Sequence, residues 1–172
     1  MAGKEEKAKD GNQEIELISL DKISFKVKAN LLQEFPWFAG MINFEPDKNV
    51  FDFKRVDGET LGKIIEWMEY EGKGEMPALI DPDTKLQRQL TPWEENFLAN
   101  IDDKKLVQLM IHADYFDIKN LLEILTFVTS QKIVLYPIEQ IRVMFDIKES
   151  GYTPQEEQKL ESEIQWAVRF QD

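Results

Sequence analysis

The chain has 172 residues, of which 42% are hydrophobic, and its formal net charge is −12. With 11 Phe and 4 Trp it has enough apolar mass for one folded domain with an appendage, so wholesale disorder is excluded. The negative charge disfavours nucleic-acid phosphate and anionic membrane surfaces as partners, and the lack of cysteine rules out disulfides, thiolate nucleophiles and zinc–cysteine sites.

The opening MAGKEEKAKDGNQ has no apolar stretch of the kind a secretory signal needs, and residues 1–13 are expected to form a flexible tail. Ile15 and Leu17, then Ile23, Phe25 and Val27, alternate with polar residues on either side of Asp21-Lys22. That period of two predicts a β-hairpin with one buried face. Residues 29–43 suit a short helix broken at Pro36, which lacks an amide donor and forces Phe35 out of helical geometry. The run FPWFAGMINF is the longest uncharged apolar stretch and is too short to span a bilayer. A third strand is predicted at NVFDFK, residues 49–54.

From Asp57 the period changes to helical, with Leu61, Ile64, Ile65 and Met68 on one face, Asp57 as N-cap and a left-handed glycine expected at the EGKG end. Residues 71–91 are rich in Gly, Pro and charge and are expected to be a mobile loop. Pro92 opens a short helix, and residues 102–116 a longer one with two apolar stripes. The first stripe is Leu106, Leu109, Met110 and Ala113; the second is Val107, Ile111 and Tyr115. Asp117 is expected to cap the next helix. Pro137 begins another, and Thr153-Pro154-Gln155-Glu156 reads as a capping box for a last helix running to about Phe170. Strands come early and helices late, which predicts an α+β fold.

The search for chemistry is less productive. His112 is the only histidine, and none of the serines lies in a GxSxG elbow, so His112 is read as a polar-side helix residue. Asp81 and Asp83 do not form an EF-hand pattern, and Gly72-Lys73-Gly74 lacks P-loop spacing. The pairs Asp102-Asp103 and Glu156-Glu157 sit at helix starts, where the helix dipole favours negative charge. No catalytic residue, metal site or cofactor is assigned. The apolar residues of the last two helices, among them Ile138, Ile141, Phe145, Leu160, Ile164 and Trp166, either complete the core or remain as a binding surface.

Several of these segments together carry a resemblance. They are WEENFL at 93–98, ADYFDIKNLL at 113–122, PIEQIRVMFDI at 137–147, YTPQEE at 152–157 and Trp166. In order and spacing the chain resembles the Skp-type adaptor family, the S-phase-kinase-associated adaptors of SCF ubiquitin ligases. The family pattern has Trp-x-x-x-Phe-Leu, an Ala-Asn-Tyr-Leu-Asp-Ile-Lys junction, Pro-Glu-Glu-Ile-Arg and a Thr-Pro-Glu-Glu-Glu cap. The resemblance covers about residues 14–168, more loosely in the front half.

The resemblance implies a BTB/POZ domain over 14–132, a small three-stranded sheet flanked by helices, and an F-box-binding helical extension over 133–172. It implies a non-catalytic adaptor that links a cullin to F-box proteins; the negative charge and the lack of a signal or bilayer-length stretch add the expectation of no nucleic-acid or membrane partner and a place in cytoplasm and nucleus. By position, Pro36, Phe38, Met41, Asp114 and Tyr115 fall at cullin contacts. Val107, Ile111, Ile138, Ile141, Phe145, Leu160, Ile164 and Trp166 fall where an F-box helix packs. Pro154 matches a proline that some members hydroxylate and glycosylate, although the helix cap already explains it. Where the family has Asn, this chain has Asp114, which accepts hydrogen bonds but cannot donate them. The alternative is a divergent BTB-type interaction module that binds F-box proteins without a cullin, is elongin-C-like, or self-associates. Homodimer formation in the absence of an F-box partner belongs to the same set of expectations.

Overall fold

The computed structural model describes residues 11–74, 77–81, 83, 87–148 and 151–168, and of the last stretch all side chains but those of 157, 161 and 164–168. Among the described residues there are one three-stranded sheet and eight helices, an α+β fold. The alternating sequences EIELI and SFKVK form β1 (Glu14–Ile18) and β2 (Ser24–Lys28). They pair antiparallel, with Ile15 opposite Val27 and Leu17 opposite Phe25, so the apolar side chains share one face. The turn between them has no glycine; Lys22 takes a φ of 65°. The Asp21 carboxylate organises it by accepting from the Ser19 hydroxyl and, at 2.7 Å, from the Gly58 amide. The Ser19 bond is the main reason that this carboxyl titrates below its ordinary range.

β3 (Val50–Asp52) is shorter than the predicted 49–54 and runs parallel to β1, giving the order β2-β1-β3. α1 (Ala29–Gln33) and α2 (Pro36–Phe44) are separated at Phe35, whose extended backbone is what the following proline demands. α3 (Gly58–Glu71) is capped by Asp57, which accepts from the Thr60 amide at 2.9 Å. The expected left-handed glycine at its end does not occur: Gly72 has a φ of −70°. A Cβ there would lie 2.9 Å from both Glu34 Oε2 and Leu31 Cδ1, the flexible side-chain ends of residues at α1.

α4 (Pro92–Leu98) begins with a capping box between Thr91 and Glu94 as well as Pro92. α5 (Asp103–Tyr115) packs on α3, and Lys105 ties the two together through Asp57 at 3.1 Å and Glu59 at 2.9 Å. α6 (Lys119–Leu135) is fastened to the end of α3 by Asn120, which donates to Glu71 at 2.6 Å. α7 (Ile138–Met144) and α8 (Pro154–Val168) follow. The α8 capping box forms as read from sequence: the Thr153 amide donates to Glu156 at 2.8 Å and the Glu156 amide to the Thr153 hydroxyl at 3.4 Å. The chain divides into two compact units, Met1–Val134 and Leu135–Asp172.

The described parts of 71–91, the stretch expected to be a mobile loop, make anchoring contacts. Ile80 and Gln87 form an antiparallel bridge, Leu79 is buried, and the Arg88 amide donates to the Leu79 carbonyl at 2.9 Å. The Arg88 guanidinium grips both oxygens of Glu94, at 2.8 and 2.7 Å, and donates to the Pro77 carbonyl at 3.0 Å. Residues 75, 76, 82 and 84–86 lie outside the described set.

Burial of Glu94 would by itself raise its pKa; the hydrogen bonds from Arg88 and Thr91 outweigh that and hold the carboxyl below its ordinary value. A depressed folded-state pKa means that the pair's contribution is complete above the unfolded value and is lost as pH falls through the folded one. Glu94→Gln is therefore expected to lower stability at neutral pH by about 3 kcal/mol, the lower end for breaking a buried pair. The gap to wild type should narrow below about pH 4.3, the ordinary range of a glutamate. Urea denaturation across a pH series measures both effects.

Candidate functional site

The site begins with the spacing of apolar residues on two helices of the first unit. On α2, Trp37, Met41 and Phe44 recur every three to four residues and share one side; Phe38 and Ile42 take the other and are buried. On α5, Leu106, Leu109 and Ala113 face the core. The second stripe, Val107, Ile111 and Tyr115, does not: Val107 is half-buried, while Ile111 is 58% and Tyr115 55% exposed. With the segment after β3, these two helix faces enclose an open groove of about 530 Å³. Trp37, Met41, Phe51, Phe53, Ile111 and Tyr115 give it an apolar lining, and Lys48, Asp52, Lys54, Arg55 and His112 its polar border.

An aromatic layer supports the groove from below. Phe116 stacks on Phe38 at 4.9 Å between ring centroids and meets Trp37 edge-on at 4.7 Å and Phe53 at 5.6 Å. Tyr115 reaches Trp37 at 5.4 Å from above. His112 has a packing role: its ring nitrogens lie 2.7 Å from the Gln108 carbonyl oxygen and 3.2 Å from that of Arg55, pinning the segment after β3 to α5.

The corner after α5 is a Schellman turn. Asp117 has a φ of 53°, its amide donates to the Asp114 carbonyl at 3.0 Å, and the Ile118 amide reaches back to Ala113 at 2.9 Å. Asp117 does not cap α6 as expected. The Ile118 carbonyl accepts the helix's first backbone bond, from Leu122 at 3.0 Å, so Ile118 holds the cap position. The tetrapeptide FDIK recurs at 145–148 and builds the same turn after α7, with Asp146 at φ 52° and the Ile147 amide donating to Arg142 at 2.8 Å.

Of the residues assigned to a cullin contact, Pro36, Asp114 and Tyr115 are exposed and Met41 is half-buried. Phe38 is a correction: at 0% exposure, locked among Trp37, Phe53 and Phe116, it belongs to the core and offers a partner nothing. Ile111, assigned to the F-box set, lines the same groove as Met41 and Tyr115. Trp37 and Phe44 belong to the same segment, PWFAGMINF: Trp37 lines the groove, and Phe44 is 86% exposed.

In the second unit, Ile138 is 60% and Val143 62% exposed, while Met144 is buried. Ile141, Phe145 and Leu160 are half-buried. The side chains of Ile164 and Trp166 lie outside the described residues. Pro154 is exposed at the first position of α8. Among the described residues there is no group of three metal-ligating side chains, and no helix is long and apolar enough to cross a membrane.

Comparison with known proteins agrees with the sequence pattern. Residues 119–167 match the Skp1 family, dimerisation domain. The chain is 27% identical over 164 residues to the E3 ubiquitin ligase complex SCF subunit sconC of Arthroderma benhamiae, covering 93% of this chain and 98% of that one. It is 29% identical over 157 residues to SKP1-like protein 1A of Arabidopsis thaliana, covering 90% and 97%. The chain is thus similar to Skp-type proteins over nearly its whole length. Its three-stranded sheet and surrounding helices fit the BTB type with a helical extension, and the groove between α2 and α5 lies in the first unit.

The Asp117 turn directs Phe116 inward and leaves Tyr115 outside, so its conformation bears on both core and groove. Asp117→Val places a β-branched side chain in the left-handed region and is expected to cost about 1–2 kcal/mol of stability. Asp117→Gly should cost nothing. Thermal melts of the two variants test this pair of outcomes.

Proposed function

We propose that the chain is a non-catalytic adaptor of an SCF-type cullin-RING ubiquitin ligase, working in cytoplasm and nucleus and linking a cullin to F-box substrate receptors. One observation carries this reading: similarity to an SCF subunit runs over 93% of the chain and takes in both units. Exposed apolar side chains support it from each unit separately. Ile138 and Val143 present the kind of surface an F-box helix could cover, and Ile111, Tyr115 and the α2 stripe offer the BTB portion a place for the cullin. In this reading the chain makes and breaks no bonds; its contribution is to bind two partners at once.

The test is affinity purification of the tagged chain from its own cells with quantitative mass spectrometry. F-box proteins and a cullin are expected together. Recovery of neither, from cells that express both, overturns the proposal. The two contacts should also separate. Ile138→Asp is expected to reduce F-box recovery about 30-fold, corresponding to about 2 kcal/mol at a buried anchor, with the cullin retained. Tyr115→Ala should do the reverse. Thermal melts confirm that each variant remains folded.

A further inference from the structure

We propose that the groove between α2 and α5 takes a partner segment whose apolar anchor is flanked by carboxylates. The inference rests on the docking reading above and specifies the chemistry of the partner at that site. The starting observation is a local reversal of charge. The chain as a whole carries −12, yet the groove's border holds Lys48, Lys54 and Arg55 against the single carboxylate of Asp52.

Existing pairs reduce this count without cancelling it. Asp52 is engaged by Lys22 at 3.2 Å, and Lys48 by Glu45 at 2.7 Å, with its ammonium also 5.1 Å from the Phe51 ring centroid. Lys54 and Arg55 are exposed, and among the described residues neither pairs with a carboxylate. Among the described residues, two uncompensated cations therefore stand beside the apolar lining. Screening makes the local count the relevant one, because at physiological ionic strength charges beyond about 8 Å are largely hidden from an approaching partner.

The position of these cations is also fixed. The backbone of Arg55 is held against α5 by His112, so part of the ordering cost is met before binding. Trp37, Met41, Ile111 and Tyr115 supply the apolar area, with Ile111 and Tyr115 more than half exposed. A segment placing a hydrophobic side chain among them brings its flanking residues to the border, where Asp or Glu are attracted and Lys or Arg repelled.

The experiment measures binding of the full chain to the N-terminal domain of the cullin from the same genome, across a salt series. Wild type is compared with Lys54→Glu/Arg55→Glu, the milder Lys54→Gln/Arg55→Gln, and Tyr115→Ala. The charge reversal should weaken binding by about 10-fold or more at low salt, mainly through slower association, with the deficit shrinking towards about 1 M salt, where the screening length is about 3 Å. The Gln variant should fall between, and the Tyr115→Ala defect should persist at every salt concentration. If wild type binds and the charge-reversed protein binds equally well or better, the carboxylate-flanked partner is overturned while the docking reading stands. If wild type does not bind the domain at all, both fall together.

Discussion

Four aromatic rings from three parts of the chain meet beneath the groove: Trp37 and Phe38 from α2, Phe53 just after β3, and Phe116 at the end of α5. Phe38 and Phe116 are fully buried, and each of the four touches the others at centroid distances of 4.7 to 6.3 Å. Elements distant in sequence thereby acquire fixed relative positions, because close-packed rings tolerate little displacement. The groove above inherits its shape from that layer. Trp37 belongs to both levels, packed edge-on against Phe116 on one side and lining the groove on the other.

A single helix face separates support from recognition in the same way. Leu109 and Ala113 secure α5 to the core, whereas Ile111 and Tyr115, on the adjoining face, stay more than half exposed. Exposed apolar groups of this size are costly to keep soluble, and the net charge of −12 is one physical means of doing so. The two FDIK corners apply one solution twice. Asp tolerates the left-handed conformation better than most residues, and in both places it ends a helix whose next residue, an isoleucine, satisfies a carbonyl of the last turn.

Much of this was legible in the sequence, for identifiable reasons. Period-two alternation located β1 and β2, Pro36 divided α1 from α2, and Thr153 with Glu156 announced α8. The failures have physical causes as well. α2 is apolar nearly all round, so PWFAGMINF contains too few polar residues to fix which side faces inward, and Phe38 was placed on the wrong side for that reason. The grip of Arg88 on Glu94 depends on three-dimensional proximity, and a stretch rich in Gly, Pro and charge carries no period that would reveal it. Gly72 looked like a left-handed stop, yet it ends α3 in right-handed backbone, with a φ of −70°. The groove's cations were invisible to a reading that used only total charge.

The charge arrangement also gives the proposed docking surface a direction. Asp114 stands exposed beside Tyr115 near the end of α5, where the family pattern carries an amide, and an ionised carboxylate there can only accept. Lys54 and Arg55, which can only donate, border the groove where the chain leaves β3. At a separation of 4 Å in the partly screened environment of a protein surface, a like or opposite charge is worth up to about 4 kcal/mol before desolvation is counted. A partner's carboxylate is therefore repelled at Asp114 and attracted beside Lys54 and Arg55, and a partner's donor experiences the opposite. Apolar contacts among Trp37, Met41, Ile111 and Tyr115 are nearly indifferent to which way a segment lies across them, because burial of apolar surface is non-directional. The acid on α5 and the basic pair after β3 are not indifferent, and on this surface they are the groups able to decide orientation.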